Sequence, residues 1–267
     1  ALLTGSDVEG ALVGAYNRLG RDLVYGGDMF VYSELLGDND EISWSGTYQG
    51  MTQIFNKNIP VDNDFVEGTW MASYTTINTV NNVIKAKDSV LEVKRDKVEG
   101  EAKFIRGAVY FDLVRLYAKS WNNGNPSTNP GVPIVLIPTN LISESDKVAR
   151  NTVAEVYDQV IKDLTEAESL LPARNSFFAT SGSAAAMLAR VYLTKGDYAN
   201  AAAAATRVIE SGEYVLLEQY SELFRYNPDN LSEVIPNNKE DIFAMQVNTT
   251  SGVNEFSTFF SQNGRGD

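Results

Sequence analysis

Apolar residues recur at helical spacing over most of the chain, and the densest run is Gly100 to Tyr117, GEAKFIRGAVYFDLVRLY. Ile105, Ala108, Val109, Leu113, Leu116 and Tyr117 form one face, and Phe104, Phe111, Val114 and Ala118 a second. A helix apolar on two faces is sandwiched between neighbours rather than laid on a surface. Gly107 and Ala108 leave room for a second helix at its middle.

The elements on either side read as helices too. Ser6 to Glu9 spells a capping box, and Val8, Leu12, Ala15, Tyr16 and Leu19 follow on one stripe. Trp70, Tyr74, Ile77, Asn81 and Ile84 mark a helix from about Thr69 to Lys85. Asn81 on that stripe needs a hydrogen-bond partner inside the protein. A charged turn, Lys94 to Gly100, leads into the central helix. Thr152 to Glu155 is a second capping box, opening a helix through Leu171. Ser181 to Ser183 caps Ala184 to Lys195, and Asp197 caps Tyr198 to Ser211, with Gly196 between them. That hairpin, 184–212, fits a tetratricopeptide repeat in length and in its small and aromatic positions.

Three stretches break the pattern. Between Gly26 and Gly68, loops rich in Gly, Asp and Asn surround Trp44, Tyr48, Met51 and Phe55, whose spacing predicts a short helix. Val132 to Pro138 is apolar with a proline near each end, so it is an extended buried segment or an edge strand. Asp241 to Val247 reads as a short strand. The pattern predicts an all-α fold: tetratricopeptide-like helical hairpins with long loops and a few short strands.

The Glu101 to Ala118 segment resembles the signature helix of the SusD/RagB family, nutrient-binding outer-membrane lipoproteins of Bacteroidetes. The opening helix, the Trp70/Tyr74/Ile77/Asn81 helix, the Gly131-Val-Pro-Ile134 segment and the Ala184 to Tyr214 hairpin follow in the family's order. The resemblance implies one SusD-like helical domain over 1–267, as an N-terminal portion of a longer family pattern. It implies no catalysis. It implies a lipid-anchored place on the outer face of the outer membrane and a SusC-like TonB-dependent transporter as partner. Glycans are the implied ligand, and peptides the alternative. A tetratricopeptide adaptor for protein partners is a third reading.

Composition narrows the chemistry. The chain has no Cys and no His, which excludes disulfides, thiolate metal sites, Cys–His pairs and Ser-His-Asp triads. A net charge of −13 argues against binding nucleic-acid backbones. No apolar run is long enough to span a bilayer, and the resemblance implies membrane attachment only through an N-terminal lipid anchor absent from this chain. Carboxylates are plentiful, but no spacing singles out a glycosidase pair.

Trp44 is the first candidate for ligand contact, because sugars present C–H faces that stack on flat rings. Tyr48, Asp38, Asn39 and Asp40 would orient the hydroxyls. A structural role is the competing reading, since Trp44 heads an apolar stripe. Asp38 to Glu41 lacks the spacing of an EF-hand loop, so no metal is expected there. Trp121, beside Asn122 and Asn123, is a second candidate; Trp70, Tyr74 and Tyr117 read as core.

Overall fold

A computed structural model describes residues 4–37, 42–139, 144, 147–223, 237–246 and 259. Among them eight α-helices follow in order: α1 Gly5–Leu19, α2 Asp28–Gly37, α3 Gln49–Phe55, α4 Asp64–Ala86, α5 Glu92–Tyr117, α6 Val153–Leu170, α7 Ser181–Lys195 and α8 Tyr198–Glu210. The fold is all-α, as the periodicity predicts. None of the described helices is long and apolar enough to cross a membrane.

The central helix lies where its two apolar faces require. Every residue from Phe104 to Phe111 is buried, including Arg106. Helix α4 packs on one side of α5 and α6 on the other, with α1 and α7 closing the surround. Gly107 sets the approach of α6: a Cβ there would lie 3.0 Å from Leu164 Cγ. The charged stretch Lys94 to Gly100 is helix rather than turn, because α5 begins at Glu92. Its charges find partners, Lys94 with Glu9 of α1 at 2.9 Å and Glu99 with Lys103 one turn along α5 at 2.6 Å.

The helix starts differ from expectation in a consistent way. Thr4, not Ser6, caps α1, sharing a capping box with Asp7. Thr180, not Ser181, caps α7 with Ser183. Asn63 caps α4, so that helix starts a turn and a half before Thr69. In each case an earlier polar side chain reaches the N3 amide and the helix gains length. Thr152 with Glu155 caps α6 as predicted, and Gly196 ends α7 at φ +76°.

Asn81 meets the requirement of its buried position. Its carbonyl accepts from Arg106 Nη1 at 2.8 Å and its amide donates to Val135 O at 2.8 Å. Arg106 also grips Asp163 of α6 in a bidentate pair, at 2.8 and 2.7 Å. Desolvation opposes the guanidinium charge, but the hydrogen bonds and charge of Asp163 outweigh it and hold Arg106 protonated above its usual range.

The Val132 to Pro138 segment is extended and forms no strand. Only one isolated bridge, Pro130 with Thr152, stands beside it among the described residues. Side chains take the place of a strand partner. Tyr110 Oη accepts from Val135 N at 2.7 Å and donates to Val135 O at 3.0 Å. Tyr74 donates to Pro133 O at 2.7 Å, and Asn151 accepts from Ile134 N at 2.9 Å. The strand expected over Asp241 to Val247 is also absent from 241–246; residue 247 lies outside the described residues. Asn238 turns the chain there, its Oδ1 accepting from the Glu240 and Asp241 amides, so side-chain bonds replace a ladder.

Removing one partner of a buried ion pair leaves the other charge desolvated. Asp163→Ala is therefore expected to lower the unfolding free energy by about 3–5 kcal/mol. Glu168→Ala, at the half-exposed Arg207 pair, is expected to lower it by less than about 1 kcal/mol. Denaturant unfolding of both variants checks the contrast.

Candidate functional site

Two apolar clusters organise the described residues. The larger joins α1, α4, α5, α6 and α7. The smaller is built by Val31, Tyr32 and Leu35 of α2 with Met51 and Ile54 of α3. Helix α2 was not legible in the sequence; it fills part of the stretch that reads as broken between Gly26 and Gly68.

Trp44 and Tyr48 sit on this smaller cluster, both half-buried. The predicted short helix is α3, but it starts at Gln49, so Trp44 and Tyr48 precede it and Tyr48 is its N-terminal cap position. Their backbone is extended and bent rather than helical, which leaves the two rings at the cluster's edge. The Trp44 indole donates to Thr52 Oγ1 at 2.9 Å, fixing the ring in place. Gly46 makes room for it: a Cβ there would come within 2.5 Å of Trp44 Cζ2. Tyr48 meets Phe65 edge-on at 5.8 Å, and Phe259 lies 6.3 Å from Trp44 and 6.2 Å from Tyr48. These rings form an aromatic group on a rigid base. Asp38, Asn39 and Asp40 lie outside the described residues, as does Glu41.

Trp121 is held elsewhere. Its indole meets Tyr157 edge-on at 5.0 Å with the planes 64° apart, and Lys195 Nζ stands 4.4 Å over the ring. It packs on the larger cluster, so the structure does not bring it to the Trp44 group. Trp70, Tyr74 and Tyr117 also belong there: Trp70 lies 4.8 Å from Tyr74 and 5.0 Å from Tyr117. The Tyr117 hydroxyl donates to Val66 O at 2.7 Å. Burial pushes the Tyr117 and Tyr74 phenols far above the ordinary tyrosine value, so both remain donors.

Sequence reasoning missed two rings of the aromatic group, Phe65 and Phe259, and the threonine that holds Trp44. Thr52 lies eight positions after Trp44, within the short helix the spacing predicted. Phe65 is in the first turn of α4, ahead of the start the apolar stripe indicated. Phe259 lies far along the chain, and no local pattern marks it. Among the described residues no group of three or more acidic side chains is placed to hold a metal ion.

Comparison with known proteins fixes the family. A SusD-like family model, described as starch-binding associating with outer membrane, matches residues 8–193. The chain belongs to the SusD-like family. It is 30% identical over 212 residues to SusD-like protein P2 of Formosa agariphila, covering 78% of this chain and 40% of that protein. The crystal structure of a putative sugar binding protein from Bacteroides vulgatus is similar at 28% identity with a TM-score of 0.83, over 99% of this chain and 60% of that one. A laminarin binding SusD-like protein is similar at 25% identity and a TM-score of 0.66, over 82% and 48%. The chain thus spans about half the length of these SusD-like relatives.

The packing of Trp121 has a measurable consequence. Trp121→Ala removes an aromatic contact and a cation–π contact and is expected to lower stability by about 2 kcal/mol. Denaturant unfolding measures it; a change under about 0.5 kcal/mol would contradict a structural role for this indole.

Proposed function

We propose that this SusD-like chain binds glycans at the cell surface through the Trp44–Tyr48 group. It then delivers them to a SusC-like, TonB-dependent transporter of the outer membrane, to which membrane it is tied by a lipid anchor. Binding rather than catalysis is its role. The observation that carries the reading is the Trp44 ring. It is half-exposed, it is pinned by Thr52, and Tyr48 stands beside it. A fixed ring offers a sugar an apolar stacking face at little entropic cost. Asp38, Asn39 and Asp40, on the connection from α2, would supply the polar groups that orient hydroxyls.

The family description as starch-binding supports a sugar ligand, and so do solved relatives named for sugar and laminarin binding. The acidic character of the chain suits a neutral glycan better than a phosphate-bearing one.

Affinity electrophoresis tests this directly. The chain is run through native gels containing starch, laminarin or other polysaccharides, with Trp44→Ala beside it. Retardation by one glycan, weakened about tenfold or more in a Trp44→Ala protein of unchanged fold, is the expected result. Retardation that survives the substitution moves the site away from Trp44. No retardation by any glycan turns the reading toward peptides.

A further inference from the structure

Helix α2 has a second face. Val31, Tyr32 and Leu35 point into the smaller cluster, while Met29, Phe30, Ser33 and Glu34 line a cleft of about 500 Å³. Helices α5 and α7 and the 237–246 segment form its other walls. The volume falls in the range of small-molecule sites.

The cleft's composition is unusual for this chain. Met29, Met187 and Met245 line it, and the whole sequence has only 5 Met. Thioether side chains are polarisable and adapt to varied apolar shapes, with a preference for aromatic rings. Beside this apolar wall stands a charged one. Tyr25 Oη donates to Asp112 Oδ2 at 2.7 Å, and Arg115 Nη1 donates to Asp112 Oδ1 at 3.1 Å. Both Asp112 oxygens are therefore engaged. Burial pushes the Asp112 carboxyl up, while Tyr25, Arg115 and Arg190 pull it back. Arg190 of α7 lines the same cleft, and its guanidinium makes no hydrogen bond or ion pair among the described residues. The lining balances Arg115 and Arg190 against Asp112 and Glu34, and Arg190, exposed at the cleft's edge, is the cation there whose guanidinium is left open to a ligand. Glu34, exposed on α2, contributes a negative charge to the lining.

We propose that this cleft is a second binding site, separate from the Trp44 group, for a carboxylate carried on an apolar body. Arg190 takes the carboxylate in a two-pronged hydrogen bond, for which the planar guanidinium is shaped. The three methionines hold the apolar part. Two sources share this chemistry: the C-terminal residue of a peptide, and an aryl-alkyl acid.

Calorimetric titration of the full chain tests the site with three probes: N-acetyl-phenylalanine, its C-terminal amide, and 3-phenylpropionate. The expected result is binding of N-acetyl-phenylalanine, with the amide weaker by about tenfold or more. Equal binding of 3-phenylpropionate identifies a simple aryl-alkyl acid as sufficient; its failure beside N-acetyl-phenylalanine identifies a peptide end. Arg190→Gln is expected to erase the preference for acid over amide, while its melting temperature and its retardation by polysaccharide stay those of the parent. Met187→Gln is expected to weaken acid and amide alike. Acid and amide binding equally to the parent overturns the proposal, as does absence of heat with every probe or an Arg190→Gln protein that still prefers the acid. None of these outcomes bears on glycan binding, which is read separately in the gel.

Discussion

The bidentate pair between Arg106 and Asp163 is the contact on which the bundle's geometry depends. Both side chains are almost wholly withdrawn from water, at 7% and 1% exposure. Such charges are tolerable only when every prong is engaged, so the partners must arrive together and in register. Arg106 belongs to α5, Asp163 to α6 and Asn81 to α4, and Asn81 continues the network to Val135 in the long connection. One guanidinium thereby specifies the relative placement of three helices and a loop. Apolar packing supplies the larger share of stability, but it is non-directional. The polar network states which of many similar packings is native.

The fold was legible where the signal was local. Thr152 with Glu155 and Gly196 before Asp197 are start and stop signs read over four residues, and the helices they bound are where the sequence puts them. Helix α2 escaped because DMFVYSELLG is apolar nearly all round and flanked by glycines, so no stripe stands out. That pattern has a cause: the helix serves the small cluster with one face and the methionine cleft with the other. The early starts of α4 and α5 escaped because their first turns are polar. Asp64, Glu67 and Glu92 stay exposed in the fold and interrupt any apolar stripe there, while Lys94 finds its partner in Glu9 of α1.

The site was less legible than the fold. Trp44 and Tyr48 stood out as aromatics in a polar stretch, but a ring's usefulness depends on what braces it. The brace is Thr52 bonded to the indole nitrogen, Phe259 beside the indole and Phe65 against Tyr48. Trp121 looked similar in sequence, yet Lys195 and Tyr157 occupy it from helices that lie far along the chain. The methionine cleft could not be read from sequence at all. Met29, Met187 and Met245 become neighbours only after α2, α7 and the 237–246 segment have met.

The tethering of the Val132 to Pro138 segment limits how another chain could attach there. An extended backbone normally offers alternating donors and acceptors to an incoming strand. Here the Val135 amide and carbonyl are both taken by Tyr110, the Pro133 carbonyl by Tyr74 and the Ile134 amide by Asn151. Proline removes the donors at positions 133 and 138. Over Pro133 to Val135 the backbone is thus engaged on its own side chains, so β-addition has no continuous template along the segment. The chain thereby keeps an extended stretch whose tethered part does not invite edge-to-edge association.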